Sequence, residues 1–137
     1  MRAVLAIALG VLGGCSHGGN PNGACSRIIG GWNGDGITSD GGQDPEALRV
    51  VDGVMRDEHW RITRILPTAF QRERTGTAGG RPAVDAMYVT QERNDLCVAE
   101  IRTVDRGTRT MRFHPRPDGR LDVQASDSWY TLILRRR

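Results

Sequence analysis

The sequence predicts an α+β fold, in which one N-terminal helix packs on a curved antiparallel sheet of about five to seven strands. The alternative is a small closed all-β barrel with the helix at one end. Two observations carry this prediction. A single stretch of helical periodicity lies before residue 58, and the chain after it alternates apolar with polar residues between Pro, Gly, Asn and Asp. Residues 27–137 are long enough for one domain.

The elements before the sheet are a short strand, a loop and the helix. Residues 27–32 include two isoleucines and predict a strand, whereas residues 33–43 are rich in Gly, Asn and Asp and predict a loop. Asp44 can cap a helix that begins at Pro45. Leu48, Val51 and Met55 follow at helical spacing. We therefore expect a helix over 44–57.

Seven further strands are predicted after the helix: 60–66, 69–74, 86–90, 96–103, 110–114, 121–125 and 128–134. The last of these is apolar on both faces, which is typical of a strand that is covered on both sides. We expect it to pair with a neighbour on at least one edge and to place Leu132 in the core. The arginines 135–137 that follow are interpreted as a solvated terminus that folding does not need; contact with lipid phosphates or an acidic partner is the alternative.

The N-terminus has the pattern of an export signal. Arg2 precedes twelve small or apolar residues, which as a helix would span about 18 Å of a hydrocarbon core of about 30 Å. The segment ends in Leu12-Gly13-Gly14-Cys15, which resembles the lipobox of bacterial lipoproteins. That resemblance implies removal of residues 1–14 as a signal peptide, diacylglycerol on the Cys15 sulfur and a further acyl chain, such as palmitate, on its amine. Ser16, where aspartate would favour the inner membrane, implies an outer-membrane location in the cell envelope.

The segment 15–26 is rich in Gly and Asn and predicts a flexible tether between the lipid and the domain. With Cys15 lipidated, Cys25 and Cys97 remain in an oxidising compartment, where disulfides persist. We expect these two cysteines to be bonded. The alternative is a pair of free thiols, one in the tether and one buried in a strand.

No motif in the sequence supports catalysis, a cofactor or a metal. Asn33, Asp35 and Gly36 resemble part of an EF-hand calcium loop, but glycines occupy its first and last ligand positions. The three histidines lack metal-ligand spacing, and no nucleophile motif is present. Formal net charge is +3 before signal removal and +2 after loss of Arg2, too balanced to suggest nucleic acid binding.

These observations predict a lipid-anchored, non-catalytic envelope protein that binds another macromolecule. An assembly factor, or an inhibitor or immunity protein against a cell-wall enzyme, would fit. The rival prediction is a carrier of a small apolar ligand. A deep apolar cavity would favour the carrier, whereas a filled core with an exposed aromatic or arginine patch would favour the binder.

Overall fold

The computed structural model describes residues 23–76, 82–103 and 107–137, and the anchor segment lies outside these residues. Two short helices and eight strands follow one another along the chain. They are α1 (Ala24–Arg27), β1 (Gly30–Ser39), α2 (Pro45–Arg56), β2 (His59–Leu66), β3 (Ala69–Thr75), β4 (Ala83–Glu92), β5 (Cys97–Thr103), β6 (Gly107–Pro115), β7 (Arg120–Ala125) and β8 (Tyr130–Arg136).

The strands form a closed barrel of eight strands, so the predicted α+β fold, with one helix packed on a curved antiparallel sheet of about five to seven strands, is wrong. Each strand pairs antiparallel with the next, and β1 pairs with β8 to complete the ring. An eight-stranded barrel has no free edge, and its interior is just wide enough for side chains or one small ligand. The fold is therefore the alternative that the sequence left open. The seven strands after the helix and the helix itself lie where the alternation and periodicity predicted them.

The closing strand β1 is the element that the sequence misplaced. Most of it falls in the glycine-rich segment 33–43, which was expected to be a loop. Its glycines are needed because α2 lies against it: a Cβ at Gly34 would overlap the carbonyl oxygen of Met55, and one at Gly36 would overlap the Asp52 carboxylate. Gly36 also has a positive φ of 106°. The segment has low strand propensity because the close approach of α2 requires glycine at these positions. It is nevertheless a strand, because β2 and β8 supply the hydrogen bonds that keep β1 extended.

The barrel interior is filled by side chains. The largest belong to six strands, and each is at most 3% exposed: Trp32, Trp60, Phe70, Met87, Phe113 and Leu134. Leu132 is 5% exposed, and β8 pairs with β1 on one edge and β7 on the other, so the prediction for the last strand is confirmed. Ile133, on its opposite face, is also buried.

The up-and-down topology separates two ends of the barrel. The α1 end comprises α1, the turns β2–β3, β4–β5 and β6–β7, and the end of β8. The α2 end comprises α2 and the connections β3–β4, β5–β6 and β7–β8. Folded structure at the α1 end begins earlier than the expected boundary at residue 27, because Ala24 and Cys25 are fully buried. The last residues assigned to the tether thus belong to the barrel core.

Candidate binding site at the α2 end

The helix α2 is capped at its first turn and is fixed to the barrel by polar contacts in its last two turns. Its first turn is capped by Asp44, whose carboxylate accepts a hydrogen bond of 3.2 Å from the backbone N–H of Ala47. Further along, the carboxylate of Asp52 accepts hydrogen bonds of 2.9 Å from the Ile37 N–H and 2.8 Å from Arg56. These donors hold the pKa of Asp52 below its usual range, with the Arg56 hydrogen bond as the main cause. The helix is thereby tied to β1.

The apolar face of α2 is only partly covered by the barrel, against whose core Met55 packs. The helix is strongly amphipathic, yet none of its twelve residues is buried. Four apolar residues on it, Val50, Val51, Val54 and Met55, line one side of a half-open groove with a volume of about 320 Å³. Isolated helices of this length are marginal in water, and tertiary packing of the apolar face normally stabilises them. The open groove therefore leaves apolar surface available to a partner.

The opposite wall of the groove comes from the β7–β8 connection and the start of β6. Trp129 is 39% exposed, and its ring meets that of Tyr130 edge-on, with centroids 5.2 Å apart. Below them the Arg109 guanidinium donates to both carboxylate oxygens of Asp127, at 2.9 to 3.2 Å. Ser128 lies between these groups and completes the lining. An aromatic pair above a fixed ion pair forms an amphipathic wall that faces the helix.

Charged side chains also enter the barrel interior towards the α2 end. Arg72 is 3% exposed and donates to Asp85 at 2.7 and 3.0 Å, while Arg74 donates to the same carboxylate at 2.8 Å. The Arg72 guanidinium also lies 4.4 Å from the centroid of the Trp60 ring. Burial lowers the pKa of Arg72 to about 10, so it remains cationic at neutral pH. Glu58, 8% exposed, accepts from the Trp60 indole N–H at 3.0 Å.

This interior cluster has two arginines and two acids, so its charges balance. Asp85 is bonded by both arginines, and Glu58 is bonded by the indole of Trp60. Buried ions that are paired and hydrogen-bonded can persist in a core, whereas removing one partner leaves an uncompensated charge. The cluster therefore makes the barrel interior polar next to β3 and β4. The groove lies elsewhere, between α2 and the residues at the start of β6 and β8.

The surface around the groove is acidic. Within the described part of the α2 end and outside the interior cluster, six acids face four arginines, which leaves two negative side-chain charges. The acids are Asp40, Asp44, Glu46, Asp52, Asp57 and Asp127, and the arginines are Arg49, Arg56, Arg102 and Arg109. An apolar groove with an acidic border favours a partner that presents an apolar group among basic residues.

The two predicted disulfide cysteines meet at the α1 end, far along the barrel from the groove. Cys25 and Cys97 are bonded, with their Cα atoms 4.9 Å apart, inside the limit of about 7 Å that the prediction required. Further contacts hold α1 in place: the Ala24 N–H donates to the Arg93 carbonyl at 3.0 Å, and the Cys25 N–H to Glu92 at 2.9 Å. Cys15, the predicted lipidation site, lies outside the described residues.

The partial calcium-loop resemblance does not form a loop in the structure. Asn33, Asp35 and Gly36 lie in β1, and Asp35 is engaged by Arg135 at 3.0 Å. Across residues 23–76, 82–103 and 107–137, no group of three His, Cys, Asp or Glu side chains is arranged to hold a metal ion. In the same ranges, no helix is long and apolar enough to cross a membrane.

The C-terminal arginines differ from their interpretation as a solvated terminus. Arg136 belongs to β8; its guanidinium donates to the carbonyls of Arg27 and Ile29 and lies 3.9 Å from the centroid of the Trp32 ring. Desolvation lowers its pKa. The Arg137 N–H donates to the Gly31 carbonyl at 3.0 Å. Both residues therefore help to close the α1 end, and the interpretation as a dispensable tail is not supported.

Sequence reasoning recognised several groove residues but not the groove. Val51 and Met55 were recognised as part of a helical face, and Trp129 was placed within the predicted last strand, 128–134. Their meeting depends on barrel closure. The Arg109–Asp127 pair was missed because its members are distant in sequence and each is an ordinary charge in isolation. Comparison of the chain with protein-family models and with curated proteins finds no match.

Proposed function

We propose that this protein is a lipid-anchored, non-catalytic protein of the bacterial cell envelope that binds another macromolecule through the groove at the α2 end. In this proposal Cys15 carries the lipid and holds the protein on the outer membrane. The partner inserts an apolar side chain or short apolar segment between α2 and Trp129, and basic residues around it meet the acidic border. An assembly factor or an inhibitor of a cell-wall enzyme would use such a surface.

The observation that carries the proposal is the partly uncovered apolar face of α2. A strongly amphipathic helix without a single buried residue lies opposite an exposed tryptophan, whereas the barrel beneath it is filled. Aromatic side chains near the centre of an interface provide much of its binding energy. The filled interior supports a surface interaction over storage of a ligand within the barrel.

Site-specific photo-crosslinking tests this function in the native envelope. A benzophenone amino acid replaces Trp129 in the full-length chain, and a matched replacement at Val84 probes an apolar position, 58% exposed, on the barrel wall. We expect a discrete protein adduct from position 129 that is absent from position 84. Substitution Val51→Arg in the same chain should abolish it. Equal adducts from both positions, or an adduct that survives Val51→Arg, would contradict the proposed groove.

A small apolar ligand is the second candidate, because the groove volume of about 320 Å³ lies at the lower end of small-molecule sites. Native mass spectrometry of protein purified from the envelope distinguishes the two. The carrier is favoured if the parent protein holds an organic molecule that Val51→Arg loses, and if position 129 gives no protein adduct. In that case the proposed macromolecular partner is wrong. Unliganded protein together with the adduct supports the first candidate.

A further inference from the structure

The α1 end holds an excess of positive charge. Eight arginines and five acidic residues lie in, or pair with residues of, α1, the three turns of this end with the adjoining strand ends, and the end of β8, which leaves three positive side-chain charges. The arginines are Arg27, Arg64, Arg93, Arg116, Arg120, Arg135, Arg136 and Arg137, and the acids are Asp35, Glu92, Asp95, Asp118 and Asp122. The opposite end has two negative side-chain charges, so the two ends of the barrel carry charge of opposite sign.

Three of these arginines are neutralised and five are not. Arg116 and Arg120 pair with Asp122, and Arg135 pairs with Asp35 and Asp118. The other five arginines have no ion pair within the described ranges, and those that make side-chain contacts use carbonyl groups, aromatic rings or a hydroxyl. Neutral partners of this kind position the guanidinium and leave its charge uncompensated. Arg93, Arg136 and Arg137 are exposed.

Two exposed aliphatic residues stand among these charges. Ile65 and Leu66, at the end of β2, are 57% and 61% exposed and precede the tight turn into β3. Leu66 is the most exposed large apolar side chain within the described residues. Basic residues around protruding aliphatic groups are typical of surfaces that rest on a membrane, where the apolar groups enter the boundary between head groups and acyl chains.

The chain itself brings this end towards the predicted anchor. Gly23 immediately precedes α1, so residues 1–22 join the barrel at the α1 end. Eight peptide steps separate Cys15 from Gly23, and a chain of that length reaches at most about 28 Å. A lipid on Cys15 would therefore hold the α1 end within this distance of the bilayer.

From these observations we infer that the α1 end is a membrane-binding face, which takes anionic phospholipid head groups on its arginines and inserts Ile65 and Leu66 into the interfacial layer. Guanidinium groups match phosphate geometry through paired hydrogen bonds. The inference rests on the proposed lipid anchor for its cellular setting. It also assigns an orientation: the acidic α2 end and its groove point away from the membrane, where a partner can reach them.

Vesicle binding without the lipid tests this face. A chain that begins at Ser16 retains every described contact, since all of them lie within residues 23–137. We expect it to sediment with vesicles of phosphatidylethanolamine and phosphatidylglycerol, to be released by salt, and to ignore phosphatidylcholine vesicles. Arg93→Gln should weaken binding about fivefold. Ile65→Ser with Leu66→Ser should weaken it further, and each variant must keep the parent melting temperature.

Matched controls come from elsewhere on the surface. Arg49→Gln removes an exposed arginine at the α2 end, and Val84→Ser removes an exposed apolar side chain from the barrel wall; both should bind as the parent does. Absence of binding to the anionic vesicles, or equal losses in test and control variants, would overturn the inference.

The anchor itself is tested separately by the mass of the mature N-terminus. A lipidated Cys15 in a protein whose unlipidated form ignores anionic vesicles would leave the proposed anchor in place and reject the membrane-binding face. If the protein binds anionic vesicles in a charge-dependent way but its Cys15 carries no lipid, the membrane-binding face is supported and the proposed anchor is rejected.

Discussion

The two ends of the barrel differ in how their helices are held. At the α1 end, a helix of one turn is fully buried at Ala24 and Cys25, bonded to β5 by a disulfide and overlaid by Arg136. At the α2 end, a helix of three turns has no buried residue and is tied to β1 mainly through Asp52. The shorter helix is the better anchored one, so length and propensity do not decide which element is firmly held.

This difference has a physical meaning for function. Elements that bind partners are commonly drawn from the less stable parts of a structure, because they must expose surface and adjust to what they bind. The α1 end uses its groups to complete the fold, whereas the α2 end leaves part of an apolar helix face and the ring of Trp129 exposed. We therefore expect substitutions at the two ends to separate stability from binding.

Loss of the disulfide should have the largest effect. Replacing Cys25 and Cys97 together by Ala removes the constraint on a loop of 72 residues, which the chain-entropy treatment values at about 4 kcal/mol. Denaturant titration should show this loss in the free energy of unfolding, and a reducing agent should have the same effect on the parent chain. An unchanged midpoint in both experiments would mean that the α1 end does not depend on the disulfide.

Leu132→Ala measures how much a core residue of the barrel, which both ends share, contributes to the free energy of unfolding. Leu132 is almost fully buried on the interior of β8, so the loss should be about 2–5 kcal/mol in the free energy of unfolding. The same titration measures it. A cost below that of an exposed substitution would show that β8 does not carry the core.

Arg136→Ala should cost about 1–3 kcal/mol, because it removes two hydrogen bonds to carbonyls and the contact with the Trp32 ring. Its neighbour Arg135 is the matched control, since its partners Asp35 and Asp118 are surface carboxylates worth little. Arg135→Ala should change the unfolding free energy by less than about 1 kcal/mol. Equal effects would return the C-terminal arginines to their interpretation as a solvated tail.

Substitution on the apolar face of α2 should have the smallest effect on stability. Val50 is 48% exposed, so Val50→Ser should change the unfolding free energy by about 0.5 kcal/mol or less. The crosslink from position 129 should nevertheless weaken. If Val50→Ser unfolds the protein as readily as Leu132→Ala, the face of α2 belongs to the core and is not a binding surface.

The sequence predicted the elements of this molecule better than their assembly. Alternation of apolar and polar residues located β2 through β8, because each strand places one face on the interior. Closure was not predictable in the same way, since it depends on β1, whose glycines are required by the approach of α2 and indicate a loop when considered alone. The local sequence pattern does not reveal the contact between α2 and β1, because that contact forms only when the barrel closes.

The candidate site was predictable only in its parts. The helical face with Val51 and Met55 was evident from spacing, and Trp129 was placed within the predicted last strand, 128–134, whereas β8 begins one residue later. Their juxtaposition requires β8 to lie beside β1, which leads into α2. The buried Arg72–Asp85 pair was not predicted for a related reason. The two residues are register partners in β3 and β4, and the sequence of one strand alone does not determine its register with the next.

Hydrogen exchange of the full chain, followed by mass spectrometry of its peptides, tests the contrast between the two ends most directly. We predict that amides of α2, at Pro45–Arg56, exchange through local opening, with protection well below that of the barrel strands, while Ala24 and Cys25 exchange only with global unfolding. Protection of α2 equal to that of β8 would contradict the account, because it would show that both helices are integral to one rigid fold and that the α2 end is not a loosely held binding face.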